Sequence, residues 1–268
     1  MISNRNYYIL KCIACLTMLI DHTGYFFKYQ WNISPVIYFI MHLIGRLAFP
    51  LFAFLVVESY YHTKHKVKHG MRILLIALIS EIPFNLLYTH GYPFDKLQNV
   101  CFELFIGYCM ISAMNISFVK RETRVKDEAL KFIIDTTKKL YPFICYGITF
   151  IVSILINSDY SFMGITLMAL FNIAHNAKPF KCGNKTFDVE ISRNFYITIA
   201  VSVFISMMYN PLYAMCYLDM LLLYVATSKL FNKTNDKFVV PNKMAFVLRY
   251  FYPLHLVFLI LFRLALSL

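Results

Sequence analysis

Residues 10–27 read LKCIACLTMLIDHTGYFF, an apolar run that closes on an acid and a histidine, Asp21 and His22. From Tyr8 to Phe27 it is long enough for a helix to cross a hydrocarbon core, which takes about 20 residues. It lacks a small-residue cleavage site, so it reads as a retained helix and not a removed leader. An ionisable group inside a bilayer costs about 2.5–3.5 kcal/mol or more, which makes Asp21 and His22 functional candidates. The next three apolar runs repeat the pattern, with Arg46 in the second, Glu81 in the third and Glu103 in the fourth.

Composition agrees with this reading. Of 268 residues, 59% are hydrophobic, 18% aromatic and only 15% charged, against roughly 25% charged in soluble domains. Mean hydropathy is +0.59. The expected fold is therefore all-α: a polytopic integral membrane bundle forming one unit over residues 1–268. Seven cysteines, with CxxC only at Cys12–Cys15, fit small buried hydrophobes better than disulfides or metal ligands, and no metal site is expected.

Apolar spans fall near 7–27, 36–58, 72–89, 98–119, 140–157, 160–175, 195–210, 211–230 and 244–266, about nine in all. The sixth and seventh are short, and the tight turns at 157–160 and 210–211 leave room for a re-entrant hairpin. The net charge of +12 does not point to nucleic acid, because the basic residues sit in short loops between apolar runs. One set of alternate loops holds Lys64–Arg72, Lys120–Lys139, Lys178–Arg193 and Lys229–Lys243, whereas the other has only Lys28, Lys96 and Arg263. That asymmetry places the amino terminus and the basic loops in the cytoplasm. The stretch Lys120–Lys139, with Val125, Ala129, Phe132 and Ile133 at helical spacing, reads as a surface helix on the inner leaflet or a solvated loop helix. Pro50, Pro83 and Pro253 lie inside spans and should kink or break them, freeing carbonyls.

Depth follows from a rise of about 1.5 Å per residue, which puts His22 about 22 Å from the inner end of its span. Arg46, Glu81 and His255 come out near the midplane; Asn85, Glu103 and Asp219 fall between there and the outer edge. Residues four apart share a helix face. His42 with Arg46, Glu81 with Asn85, and Asn99 with Glu103 are such pairs, and Cys15, Met18 and His22 form a stripe with Lys11 at its foot. Three polar faces at one depth are shielded only by facing inward. Glu81 and Glu103 then need a cation or proton, and Arg46 is the cation within reach.

A plainer reading stands beside each residue. Asp21 and His22 could sit exposed at the interface. Arg46 with Glu81 could be a structural ion pair, and Asp219 and His255 hydrogen-bonded packing. Glu58 ends its span and is expected to be solvated. His62, His65, His69 and His90 are read as loop residues, and the tyrosines and phenylalanines as lipid-facing bulk. Because i and i+1 diverge on a helix, Asp21 orients His22 only where the helix ends or kinks; otherwise it pairs with Arg46 or a tyrosine. A histidine at the mouth of a shielded cavity suits general-base work on an amine or hydroxyl attacking an activated carbonyl.

Five stretches carry a family resemblance: residues 10–27 quoted above, IGRLAFPLFAFLVVESYYHTKH at 44–65, RILLIALISEIPFNLL at 72–87, NVCFELFIGY at 99–108 and FYPLHLVFL at 251–259. Together they resemble the TraX family, densely over the first 110 or so residues and thinly beyond. That family is named for the conjugation protein that acetylates the amino terminus of F-type pilin. It is grouped with transmembrane acyltransferases whose first helix ends in a required histidine, in a pattern like LxxIAxxxxxxxH. Leu10 through His22 is similar, so the resemblance places that role on His22 and makes Arg46, Glu81, Asn85, Asn99 and Glu103 the signature polar residues. Val57-Glu58-Ser59 departs mildly from the family's VEG.

The resemblance implies a multi-pass enzyme of the cell membrane that moves an acetyl group from cytoplasmic acetyl-CoA to an extracytoplasmic acceptor, a pilin-like peptide amine or a glycan. On this reading Lys64, Lys66, Lys68 and Arg72 hold the nucleotide and the thioester arm passes Lys11. His22, supported by Asp21, is the base, and Arg46, Asn85 or Asn99 stabilises the oxyanion. Lys11, His42, Asp219 and His255 are secondary candidates. The rivals are a proton-coupled transporter using Glu81, Glu103, Asp219 and His255, which lacks the paired repeats common in such proteins, and a non-catalytic surface-assembly protein.

Overall fold

Ser3 opens the first helix, α1 (Asn4–Trp31), by accepting the Asn6 amide on its hydroxyl, and Asn32 closes it in the left-handed conformation at φ 48°. Around α1 the described residues fold mainly into helices, with one small hairpin. The structure, a computed structural model, describes residues 2–89, 97–115, 128–182, 185–229 and 239–267. His90, Lys96, Lys120–Lys126 and Lys233–Lys237 lie outside the described residues.

The second span is two helices, α2 (Pro35–Gly45) and α3 (Ala48–His62). Its break falls at Arg46 and Leu47 instead of at Pro50. Pro50 is the third residue of α3, where the backbone N–H has no intrahelical acceptor and its loss costs nothing. The third, α4 (Lys66–Phe84), passes Pro83 and gives way to a π-helical turn over Asn85–Thr89. There a missing donor does disturb the ladder. α5 (Val100–Met114) starts at Asn99, whose side chain accepts the Cys101 amide. Next come α6 (Glu128–Ile156) and α7 (Ser161–His175), then the antiparallel strands β1 (Phe180–Cys182) and β2 (Lys185–Phe187) with Phe180 opposite Phe187. α8 (Val189–Met208), a 3-10 turn (Pro211–Met215), α9 (Cys216–Thr227) and α10 (Asn242–Ser267) complete the order. α10 carries Pro253 without interruption.

Among the described residues, six helical segments are long and apolar enough to cross a membrane: Asn4–Trp31, Pro35–His62, Lys66–Tyr88, Thr136–Ile156, Val189–Met208 and Asn242–Leu266. The difference from the expected nine lies in Val100–Met114, Ser161–His175 and Pro211–Thr227, which are shorter apolar segments. A 15-residue helix such as α5 reaches only about 22 Å, short of a core of about 30 Å. Two boundaries also differ. The seventh segment begins at Val189 and is not short. The described part of the amphipathic stretch, from Glu128, is continuous with α6 and not a separate surface helix.

Contacts between helix ends show which ends gather together. The Ile2 amide donates to Glu58 at 3.2 Å and the Asn6 side-chain amide to the Ala226 carbonyl at 2.8 Å. Tyr61 donates to Asn172 at 2.6 Å, and Tyr108 to the Lys66 carbonyl at 2.9 Å. The start of α1, the ends of α3, α5, α7 and α9 and the start of α4 thus share the end that bears the basic loops. Glu58 is not solvated there as expected. It is buried, with His175 Nδ1 at 2.5 Å and His62 Nε2 at 3.6 Å. Nor are His62 and His69 loop residues; they lie on α3 and α4.

Candidate functional site

Where α1 meets α2, a Cβ added to Gly45 would fall 2.3 Å from Asp21 Cβ, so only glycine lets the two backbones approach this closely. The approach brings Asp21 to residues on the second span. His42 Nδ1 lies 2.7 Å from Asp21 Oδ1, and Arg46 Nη2 donates to Asp21 Oδ2 at 3.1 Å. Arg46 also donates through Nη1 to the Tyr213 hydroxyl at 2.8 Å and through Nε to the His42 carbonyl at 3.3 Å. The Arg46 side chain is 13% exposed and the Asp21 side chain 17%. This partly buried, hydrogen-bonded pairing is an arrangement in which an internal charge is tolerated.

Asp21, His22, His42 and Arg46 all line one cavity of about 310 Å³. The expected support of His22 by Asp21 is not what the structure has. α1 runs unbroken to Trp31, so adjacent residues diverge and Asp21 turns to His42 and Arg46. His22 instead places Nδ1 2.6 Å from His255 Nε2, the two rings lying edge to edge with centroids 4.8 Å apart.

The expected link between Arg46 and Glu81 is also absent. Glu81 is fully buried and accepts three donors: Asn85 Nδ2 on Oε1 at 2.6 Å, and Asn99 Nδ2 at 2.6 Å and the Asn99 amide at 3.2 Å on Oε2. Asn99 further donates to the Ala77 carbonyl at 2.9 Å. The group clamps α4 to the start of α5. Glu81, Asn85 and Asn99 do not line the cavity, so neither amide is placed as an oxyanion donor. Glu103, also buried, accepts from Ser158 and packs against Gly164. It and the buried Asp219 lie apart from the cavity wall as well.

Lys11 lines a second cavity, of about 280 Å³, on the side of the basic loops. Cys15, His69, Arg72 and Arg249 line it too. His69 is held there by Ser59, whose Oγ is 2.9 Å from Nε2. Phe52, Cys101, Leu104 and Tyr252 belong to the walls of both cavities, so a partition of four side chains separates them. The sequence stripe divides across it, Lys11 and Cys15 facing the lower chamber, Met18 and His22 the upper.

Several lining residues escaped the sequence reading. Arg249 is an ionisable residue within the span 244–266, and the rule that selected Arg46 applies to it equally. Tyr25, Tyr38, Tyr88 and Tyr160 line the upper chamber with Asp159. Aromatic composition gave no way to separate them from lipid-facing rings. Lys64, Lys66 and Lys68 line neither chamber.

Fold and site define a multi-span helical membrane protein with two stacked chambers, the upper one lined by two histidines, two acids and an arginine. The chain belongs to the TraX family: the family model described as TraX protein matches residues 6–263. Over 99 residues it is 29% identical to the probable fimbrial assembly protein FimC, serogroup H1, of Dichelobacter nodosus, covering 36% of this chain and 37% of that protein. Over 103 residues it is 27% identical to the uncharacterized protein RP591 of Rickettsia prowazekii (strain Madrid E), covering 38% of this chain and 35% of that one. The match spans about a third of the length of each curated relative. No solved structure matches significantly.

Proposed function

We propose that this chain is a membrane acetyltransferase that takes an acetyl group from cytoplasmic acetyl-CoA and gives it to an acceptor on the opposite face of the cell membrane. The observation that carries the reading is the shared partition. A donor entering from the basic side and an acceptor entering from the other would meet at Phe52, Cys101, Leu104 and Tyr252. Orientation rests on the basic loops, with the amino terminus inside; counting the three shorter helices as crossings gives nine spans. Lys11, Arg72 and Arg249 supply positive charge in the lower chamber, suited to the donor's phosphates. At about 280 Å³ that chamber suits the thioester arm better than a whole nucleotide.

In the upper chamber the acceptor nitrogen or oxygen attacks the thioester carbonyl, and its proton passes to His22 Nε2. The carbon–sulfur bond then breaks and the proton goes on to the departing sulfur, leaving acetylated acceptor and free thiol. Arg46, held by Asp21 and Tyr213, is the cation available to the developing oxyanion. The acceptor is an extracytoplasmic pilin-like peptide amine or a glycan, and the fimbrial-assembly name of one relative supports a surface-appendage acceptor.

The test uses the full chain in nanodiscs. Acetyl-CoA should protect it from thermal unfolding, and product mass analysis in a deletion strain should find an acetyl group missing from one surface component. His22→Ala should abolish transfer while the protein still folds and inserts. Absence of both protection and product would end the proposal.

A further inference from the structure

We propose that His255 is a positioning residue: it holds His22 in the tautomer whose unprotonated Nε2 serves the upper chamber. The inference rests on the acetyltransferase reading for its kinetic consequence, and on hydrogen-bond geometry alone for its structural one.

His255 Nδ1 lies 2.8 Å from the Phe251 oxygen, which only accepts, so that nitrogen carries a proton. With one proton on each ring, His255 Nε2 is the bare nitrogen. It lies 2.6 Å from His22 Nδ1, which must therefore donate. The lone pair of His22 is left on Nε2. Free histidine prefers the opposite tautomer, with its proton on Nε2, so a fixed acceptor behind Nδ1 is needed to reverse it.

His255 is built to be that acceptor. It is 5% exposed and stands behind His22, outside the chamber wall. Phe251 stacks on it at 5.2 Å and 16°, and Tyr252 meets it edge-on at 5.6 Å. His22 meets its Nε2 edge to edge, the centroids 4.8 Å apart and the planes only 23° from each other, as an in-plane hydrogen bond requires. A ring packed on these sides and tied at both nitrogens does not turn.

A second consequence concerns the proton's route. The relay from His22 through His255 ends on a carbonyl, which does not take a proton away. A proton gained at His22 Nε2 therefore leaves from the same atom. His22 acts in turn as base toward the acceptor and as acid toward the departing sulfur, and no proton exits through α10.

The experiment is nitrogen-15 NMR of histidine-labelled full-length protein in nanodiscs, with His22→Asn to assign the His22 signals. The expected spectrum has His22 protonated on Nδ1 and bare on Nε2. His255→Phe should release that preference, and His255→Gln, whose amide oxygen accepts the same proton, should retain it. In acetyl transfer, His255→Phe should lower kcat at least about a hundredfold, the scale of general-base catalysis. Its KM for acetyl-CoA should change little, and His255→Gln should recover most of the rate. A wild-type His22 carrying its proton on Nε2 overturns the inference, as does a His255→Phe protein with unchanged tautomer and kcat. Should His255→Phe not fold, the wild-type and His255→Gln spectra still decide. A chain that transfers no acetyl group ends the proposed function, while the wild-type spectrum continues to decide the tautomer.

Discussion

Asp21 and His42 are joined across the α1–α2 hairpin, Oδ1 to Nδ1 at 2.7 Å, with Arg46 on the second carboxylate oxygen at 3.1 Å. One acid thus fixes two cavity-lining side chains at once, and it does so at a place where the helix backbones are unusually close.

Asp21→Asn should remove the counter-charge from Arg46. Breaking a buried ion pair by deleting one partner costs about 3–5 kcal/mol; with both groups partly exposed here, the lower half of that range is expected. Thermal unfolding in detergent measures it. An unchanged midpoint together with unchanged transfer would mean that the pair is ornamental.

Gly45→Ala places a Cβ where Asp21 Cβ already lies, 2.3 Å away. The hairpin must open, at the cost of about 1–3 kcal/mol typical of overpacking, and Arg46 moves with it. Loss of acetyl transfer exceeding the loss of folded protein is the expected pattern. Wild-type stability and rate would show that the helices separate freely.

Asn99→Ala separates structure from chemistry. It strips the side-chain donor from buried Glu81 and from the Ala77 carbonyl, leaving the backbone amide in place, and should destabilise by about 1–3 kcal/mol, the cost of an unsatisfied buried group. Because Asn99 lines neither chamber, kcat per folded molecule should stay near wild type. A large fall in kcat at full stability would return Asn99 to the site.

Arg249→Ala and Lys11→Ala should each raise KM for acetyl-CoA by about tenfold or more, as expected for losing a charged hydrogen bond, with kcat preserved. Lys68→Ala, which lines neither chamber, should leave both constants alone. Equal effects from all three would point to diffuse attraction instead of a lower-chamber site.

At the start of α8, outside the spans, Asp188 accepts the Ile191 amide at 3.0 Å and Lys229 Nζ at 2.9 Å. The backbone amide first, and the lysine second, hold its carboxyl below the ordinary value. A depressed pKa gives stabilisation that is present above the unfolded value and lost as pH falls through the folded one. Protection of the Ile191 amide, relative to its intrinsic exchange rate, should therefore fall in acid below the ordinary carboxylate range. Asp188→Asn, still a good N-cap, should flatten that dependence; an equally steep response in the variant would place its origin elsewhere.

Much of the site was legible from spacing. Helical spacing put Cys15, Met18 and His22 on one stripe of α1 with Lys11 at its foot, and paired His42 with Arg46; all of these line a chamber, the stripe being divided between the two. The same spacing paired Glu81 with Asn85, which do hydrogen-bond, but together with Asn99 they form a closed clamp that lines neither chamber. Inward polarity does not distinguish a side chain that meets a cavity from one consumed by its neighbours.

Apolar run length and the basic loops were enough to announce a multi-span helical bundle, because burial in lipid demands long apolar helices whatever their neighbours are. The family motifs likewise marked His22 and Arg46. Partnership was decided only in three dimensions: Asp21 to His42, His22 to His255, Glu81 to two amides. A helix's own periodicity gives the direction of a side chain but not the depth and rotation of the helix opposite. Those depend on close packing, as at Gly45, and a shift of about an ångström there selects a different hydrogen-bond partner.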